Sequence, residues 1–164
     1  MLKPLLPHTS LLILQEAVHE ELVASHLYKH LANHCQRIGL FGAAKFFANE
    51  SKEELEHYQD IATYLNDRGS VAEIPALAGY PNKIVSLDLA LETAYQAEEA
   101  LGRKYEQWYA TVVSSDPTTA QFLLKFLSIQ AASIGYLADV QSRLALVGDD
   151  KAAVLIIDTE LGNH

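Results

Sequence analysis

A chain of 164 residues, 49% of them hydrophobic, is long enough for one domain with a single substantial core and has no need of disulfide staples. Twelve Lys and Arg against 21 Asp and Glu leave a net charge of -9, which argues against nucleic acid or an anionic membrane as partner and favours cations. Residues 1–10 show no secretory leader and no apolar run approaches the ~18 residues of a membrane span, so a cytoplasmic protein is expected.

Apolar residues recur at helical spacing through four long segments. The first, Ser10 to Arg37, follows an extension over residues 1–9 and stops at Ile38-Gly39. That break is short enough to make the second segment, Leu40 to Asp67, an antiparallel neighbour. After Arg68 and Gly69 comes a stretch of about 17 residues holding Pro75, Gly79 and Pro81, long enough to cross the length of a bundle. Ser86 suits the N-cap of a third helix reaching Ser114, and Asp116 with Pro117 at the first helical position opens a fourth that runs to Val147. Gly148, Asp149 and Asp150 end it, and a short amphipathic helix, Lys151 to Leu161, follows. The expected fold is all-α and a single domain: a four-helix bundle over residues 10–147, one long crossover between its second and third helices, and a short fifth helix within residues 148–164.

At about 100° per residue, Glu21 falls at the centre of a stripe with Leu14, Ala17, Val18, Ala24, Tyr28, Leu31 and Cys35. The lone cysteine on that face reads as a buried free thiol. Glu54 shares its stripe with Phe46, Phe47, Ile61 and Leu65, and both His57 and Glu50 lie inside it. Glu98 sits among Leu91, Tyr95, Leu101, Tyr105 and Trp108, and Gln130 among Leu123, Phe126, Ile134 and Leu137. A Glu-x-x-His pair in a helix aims a carboxylate and an imidazole at one point, and here three other helices each contribute one polar group to the same interior.

An ionised carboxylate buried without a partner costs on the order of several kcal/mol, and converging carboxylates repel, so bound cations are the natural resolution. Oxygen-rich ligation with a single imidazole suits iron or manganese rather than structural zinc. Any one of these carboxylates read alone fits a core hydrogen bond or an ion pair between helices equally well. Glu50 and Glu53 flank the pair and either extend the site or guide cations toward it, although Glu53, about 100° from Glu54, equally suits a solvated or subunit-facing role. Tyr28, two turns after Glu21, is placed to hydrogen-bond a ligand or supply an electron, or is a core tyrosine. His19, His26, His30 and His34 lie about 140° to 220° from Glu21, so they do not share its centre; the spacing of the last three by four suits a second metal site, and a face toward solvent or another subunit is the preferred expectation.

The run Glu21-Leu-Val-Ala-Ser-His-Leu-Tyr28 resembles the ferritin helix that carries the first iron-ligating glutamate and a tyrosine seven residues on. Phe46-Phe47-Ala-Asn-Glu-Ser-Lys-Glu-Glu54-Leu-Glu-His57 is similar to the second ferritin helix with its bridging glutamate and histidine. Tyr95-Gln-Ala-Glu98, Phe126-Leu-Ser-Ile-Gln130 and Leu155-Ile-Ile-Asp-Thr-Glu-Leu161 resemble the third-helix ligand region, the fourth-helix glutamine segment and the tail helix of bacterial ferritins. This resemblance covers nearly the whole chain. It implies an up-down-down-up bundle assembled as a hollow cage of 24 subunits, which oxidises Fe(II) with oxygen or hydrogen peroxide and stores it as a ferric mineral.

The resemblance further implies that Glu21, Glu54 and His57 take one iron, that Glu54 bridges, and that Glu98 takes the second with Gln130 as a weak partner. Gln130 and Ser133 stand where haem-containing relatives and many di-iron oxidases have a second Glu-x-x-His, so the centre resembles the asymmetric heavy-chain type of a bacterial non-haem ferritin. The only methionine is Met1, so no methionine-ligated haem is expected. Ala131, Ala132 and Ser133 replace the glutamates that hold a third iron in many bacterial ferritins. Two other readings remain open at this point: a di-iron carboxylate oxidase or peroxidase acting on an organic substrate, and a non-catalytic helical scaffold.

Overall fold

The computed structural model describes residues 3–164, so Met1 and the expectation about haem that rests on it lie outside the described residues. Five helices follow one another: α1 His8–Arg37, α2 Phe41–Asp67, α3 Leu87–Val112, α4 Pro117–Val147 and α5 Lys151–Leu161. Among the described residues there is no strand. Each helix lies where the apolar periodicity puts it, to within a few residues at its ends.

Gly39 and Gly69, at φ 86° and 75°, close α1 and α2. Past each glycine the chain folds back, the Leu40 N–H donating to the Cys35 carbonyl and the Ser70 N–H to the Leu65 carbonyl, both at 2.9 Å. Glycine has no Cβ to oppose that left-handed turn. At the other end α1 begins two residues before Ser10. The Ser10 hydroxyl is buried and donates to the Asp116 carboxylate at 2.7 Å, while the other Asp116 oxygen caps α4 by accepting from the Thr119 N–H at 3.2 Å. A serine near a predicted helix start thus fastens α1 to the start of α4.

The buried side chains form two separate apolar cores stacked along the bundle. One joins the C-terminal half of α1 to the N-terminal halves of α2 and α3, the C-terminal half of α4, and α5. The other joins the remaining halves, from Ile13 and Val18 on α1 to Ile61 and Leu65 on α2, Tyr105 and Trp108 on α3, and Leu123 and Phe126 on α4. This pairing of halves requires α1 to run up, α2 and α3 down, and α4 up. The parallel α2 and α3 are why the crossover must travel the length of the molecule.

The crossover has no helix or strand of its own, so its backbone groups need partners elsewhere. α1 supplies them. Gln15 brackets residues 71–73, donating to the Val71 carbonyl and accepting from the Glu73 N–H at 3.1 Å. Tyr80 donates to the Val23 carbonyl at 2.9 Å, His30 Nε2 meets the Asn82 carbonyl at 2.7 Å, and His34 Nδ1 accepts from the Ile84 N–H at 3.4 Å. Half of the α1 histidine face, expected to meet solvent or another subunit, is therefore occupied by the chain's own crossover. His26 bonds back to the Leu22 carbonyl at 2.9 Å and His19 contacts Glu20 at 3.3 Å.

No unbroken apolar run approaches a membrane span, yet α4 taken whole is long and apolar enough to cross one by length and composition. Interruption by Lys125, Gln130 and Asp139 hides this from a search for unbroken apolar runs. In the fold the helix packs Leu123, Phe126, Leu137 and Leu144 into both cores and carries Gln130, also buried, between them. Much of its remaining apolar surface, small residues such as Ala131, Ala132 and Gly135 and the exposed Leu124 and Leu146, lies outside the two cores.

α2 has no side-chain cap from its own neighbourhood. Asp158 of α5 supplies one, accepting from the Gly42 N–H at 3.0 Å and the Ala43 N–H at 2.7 Å. The fit is tight: a Cβ on Gly42 would lie 1.7 Å from the Asp158 carbonyl oxygen. Asp158→Ala is expected to cost about 0.5–2 kcal/mol, as loss of a helix cap does. Gly42→Ala should cost more and free α5, read as a lower melting temperature together with early protease cleavage between α4 and α5.

Candidate metal centre

Between the two apolar cores lies a belt of polar side chains, Glu21, Ser25, Ser51, Glu54, Glu98 and Gln130, none of them more than 3% exposed. Helical spacing places each on the inner face of its helix, and the antiparallel hairpin sets α1 against α2 in register. Ser25 and Ser51 lock that register, each hydroxyl donating to the other's carbonyl at 2.8 Å. One turn away, Glu21, Glu54 and His57 converge. Each offers a ligand atom, and these atoms lie within 4.8 Å of one another. His57 Nδ1 is 3.0 Å from Glu54 Oε2 and 3.5 Å from Glu21 Oε2, and its ring meets Phe126 edge-on at 5.8 Å.

Glu98 lies outside that triangle but inside the belt. Tyr28 donates to Glu98 Oε1, and Tyr105 donates to Glu21 Oε1. The two tyrosines therefore cross over. Each stands seven residues after a glutamate on its own helix and bonds the glutamate of the other, as antiparallel α1 and α3 permit. Tyr28, expected to hydrogen-bond a ligand, does so with Glu98 of the facing helix rather than with Glu21 of its own. Tyr105 is a site residue that the apolar stripe conceals, the only signal for it in the sequence being an i, i+7 relation to Glu98 that repeats that of Tyr28 to Glu21.

Three buried oxygens in this belt lack a close hydrogen-bond partner: Glu98 Oε2, Gln130 Oε1, and Glu21 Oε2, whose nearest donor is His57 Nδ1 at 3.5 Å. Buried polar atoms are seldom left so, and three within one layer mark a place for a ligand. Burial, together with Glu21 and Glu98, raises the Glu54 carboxyl well above its ordinary range, although His57 pulls the other way. Burial also raises Glu98, opposed by Tyr28, Gln130 and His57. For His57 burial favours the neutral ring, but hydrogen bonding and charge from Glu21 and Glu54 outweigh it and lift the imidazole to about 10. Burial and the adjacent carboxylates raise the Tyr28 and Tyr105 phenols well above 10, so both remain proton donors. A proton on His57 thus stands where a cation would neutralise the belt. The donor set, carboxylate oxygens with one imidazole and one amide, fits a hard or borderline divalent cation such as iron.

Glu50 is pushed up to about 7 by burial, by Glu53 and by Glu98, yet it does not join the triangle. It lines a separate cleft of about 220 Å³ with Glu53, Ser133, Tyr136 and His164. Among the described residues the histidines of α1 form no three-ligand cluster. Cys35 is fully buried, its thiol raised to about 12 by burial and Asp158, which makes it inert.

Residues 11–147 match the ferritin-like domain family model. A probable bacterial non-heme ferritin-like protein of Haemophilus influenzae is 28% identical over 152 residues, covering 92% of each chain. A bacterial non-heme ferritin of Staphylococcus aureus strain MRSA252 is 30% identical over 152 residues, again covering 92% of both, and that of strain USA300 is 31% identical over 150 residues, covering 91% of this chain and 90% of its own. The open pore ferritin of the hyperthermophilic archaeon Archaeoglobus fulgidus shares the fold, with a TM-score of 0.93 at 24% identity over 97% of this chain and 99% of its own. With a family match across most of its length, the same five helices and a carboxylate and histidine cluster at their centre, the chain belongs to the ferritin-like family.

Proposed function

We propose that this chain is an iron-storage ferritin that takes Fe(II) as substrate, oxidises it with oxygen or hydrogen peroxide, and deposits Fe(III) as a mineral inside a cage of 24 like subunits. The observation that carries this reading is the belt itself, in which carboxyls from three helices meet in a dry layer where Glu98 Oε2 and Gln130 Oε1 have no hydrogen-bond partner and Glu21 Oε2 has only the His57 ring, 3.5 Å away. Glu21, Glu54 and His57 bind one ion, Glu54 serves as the bridge, and Glu98 with the Gln130 amide binds the second. Two adjacent one-electron donors suit reduction of oxygen, which needs electrons in pairs. Tyr28 and Tyr105 fix the orientation of Glu98 and Glu21 and so set which carboxylate oxygen is free for the metal. Tyr28, stacked on Phe47 at 5.9 Å and in contact with Glu98, is also the phenol best placed to supply an electron. Glu50, at the edge of the belt, guides cations or takes product toward the neighbouring cleft.

Aerobic loading of the purified protein with Fe(II) tests this directly. Uptake far above two irons per chain, in a particle of cage mass, is expected for the wild type and slow oxidation for the Glu54→Ala, His57→Ala double variant. Uptake that stops near two irons per chain would instead favour a di-iron oxidase or peroxidase with another substrate.

Metal must displace the protons that hold the empty site together. His57, raised from 6.5 to about 10, contributes stability to the metal-free protein that is complete below about 6.5 and lost as pH rises through about 10. Binding needs the bare imidazole, so at neutral pH each Co(II) or Zn(II) bound should release about one proton or more, and affinity should climb with pH. Calorimetry in buffers of different ionisation enthalpy reads the proton count.

The crossed tyrosines predict an asymmetry. Tyr105→Phe should weaken binding at the Glu21, Glu54 and His57 position, and Tyr28→Phe binding at the Glu98 position, each by about tenfold to a hundredfold. Metal titrations resolving a tight and a loose site would show the two variants acting on different phases.

A further inference from the structure

Beside the ligand stripe of α3 runs a second stripe. Glu99, Gly102, Arg103 and Glu106 follow one another at i, i+3, i+4 and i+7, one residue on from Glu98, Leu101 and Tyr105. They face Leu127, Gln130, Ala131 and Ile134, which hold the same spacing on α4. Between the two rows lies a cleft of about 240 Å³. At ~30 Å³ per water, that volume admits an ion with several of its waters.

Three features set this cleft apart from an ordinary groove between helices. Its floor includes Gln130, which is 2% exposed and whose Oε1 has no hydrogen-bond partner. The same residue belongs to the buried belt that holds Glu98, so the floor of the cleft is also the wall of the metal centre. Its mouth carries two carboxylates a double turn apart, and only one of them is engaged: Glu99 pairs with the exposed Arg103 at 2.7 Å, an i, i+4 surface pair weak enough for a divalent ion to displace. Finally, the width of the cleft depends on a glycine. A Cβ on Gly102 would sit 3.2 Å from Ile134 Cδ1 and 3.7 Å from Gln130 Cβ, inside the space that leads to the floor.

We infer that the α3–α4 cleft is a loading site for divalent cations, in which Glu99 and Glu106 collect a hydrated ion and Gln130 Oε1 takes it inward to Glu98. The inference rests on the proposed centre, to which it adds an entrance. Carboxylates at the mouth of a low-dielectric cleft raise the local cation concentration, and a neutral amide oxygen holds an ion loosely enough to pass it on. Glu98, with one oxygen held by Tyr28 and the other unpartnered, is the acceptor on the far side.

Co(II) reports arrival without turnover, because its visible ligand-field absorption changes when water is replaced by protein ligands. Stopped-flow mixing of Co(II) with the assembled, metal-free protein should give a signal that is lost in Glu54→Ala, His57→Ala. In Glu99→Gln, Glu106→Gln the same final signal should appear about tenfold more slowly. Gly102→Leu, which fills the cleft without touching its charge, should slow it as well, and crystals soaked in Co(II) should show anomalous density between Glu99, Glu106 and Gln130. Unchanged rates in both cleft variants, or a soaked crystal with Co(II) at Glu54 and none in the cleft, would overturn the loading site and leave the centre standing. A wild-type signal that survives Glu54→Ala, His57→Ala would instead overturn the centre, whatever the cleft variants do.

Discussion

Carboxyl groups forced together in a layer from which water is excluded are the constraint that organises this molecule. Apolar cores above and below the layer supply the folding energy, and the layer itself draws on it. Protein oxygens with no donor to meet, a histidine lifted to about 10 and a glutamate held protonated above its usual range all express one deficit of positive charge. In the metal-free chain protons partly cover that deficit. A divalent cation covers it better, because it carries two charges at one point and accepts several oxygens at once.

Everything rigid around the layer serves to keep the groups converging. Ser25 and Ser51 pin α1 to α2 next to the site, and the crossed tyrosines tie α1 to α3 on either side of it. The Phe126 edge confines the His57 ring. These contacts leave one oxygen of Glu98 fixed in place and unengaged and one of Glu21 facing only the His57 ring, which is the preorganisation a metal site needs. The clefts flanking α4 differ in kind. The one toward α3 is lined by Gln130, whose amide oxygen has no partner, whereas the one toward α2 is lined by Glu50, Glu53 and the His164 ring stacked on Tyr136 at 3.8 Å.

Beyond the site, the bundle is fastened at its ends by side chains distant in sequence. Asp158 caps α2 through backbone N–H groups 115 and 116 residues earlier, Ser10 bonds the cap of α4, and His30 and His34 of α1 hold a crossover that has no regular structure. Each of these satisfies backbone or buried polar groups that local sequence leaves open. The tail helix is therefore part of the bundle's own hydrogen bonding.

Helix count, helix ends and the inward stripe of each helix were legible in the sequence, because periodicity, proline, glycine and capping residues act over one or two turns. So were Glu21, Glu54, His57, Glu98 and Gln130 as the polar members of those stripes, since a charged residue in an apolar stripe stands out without any neighbour being known. What a side chain touches across the bundle was not legible, because it depends on the stagger between helices rather than on spacing within one. Tertiary structure alone decided that Tyr28 serves Glu98 and Tyr105 serves Glu21, that Glu50 faces a side cleft, that the α1 histidines bind the crossover, and that Asp158 caps α2. A helix fixes the direction of a residue about its own axis, and only packing fixes the distance to the next helix.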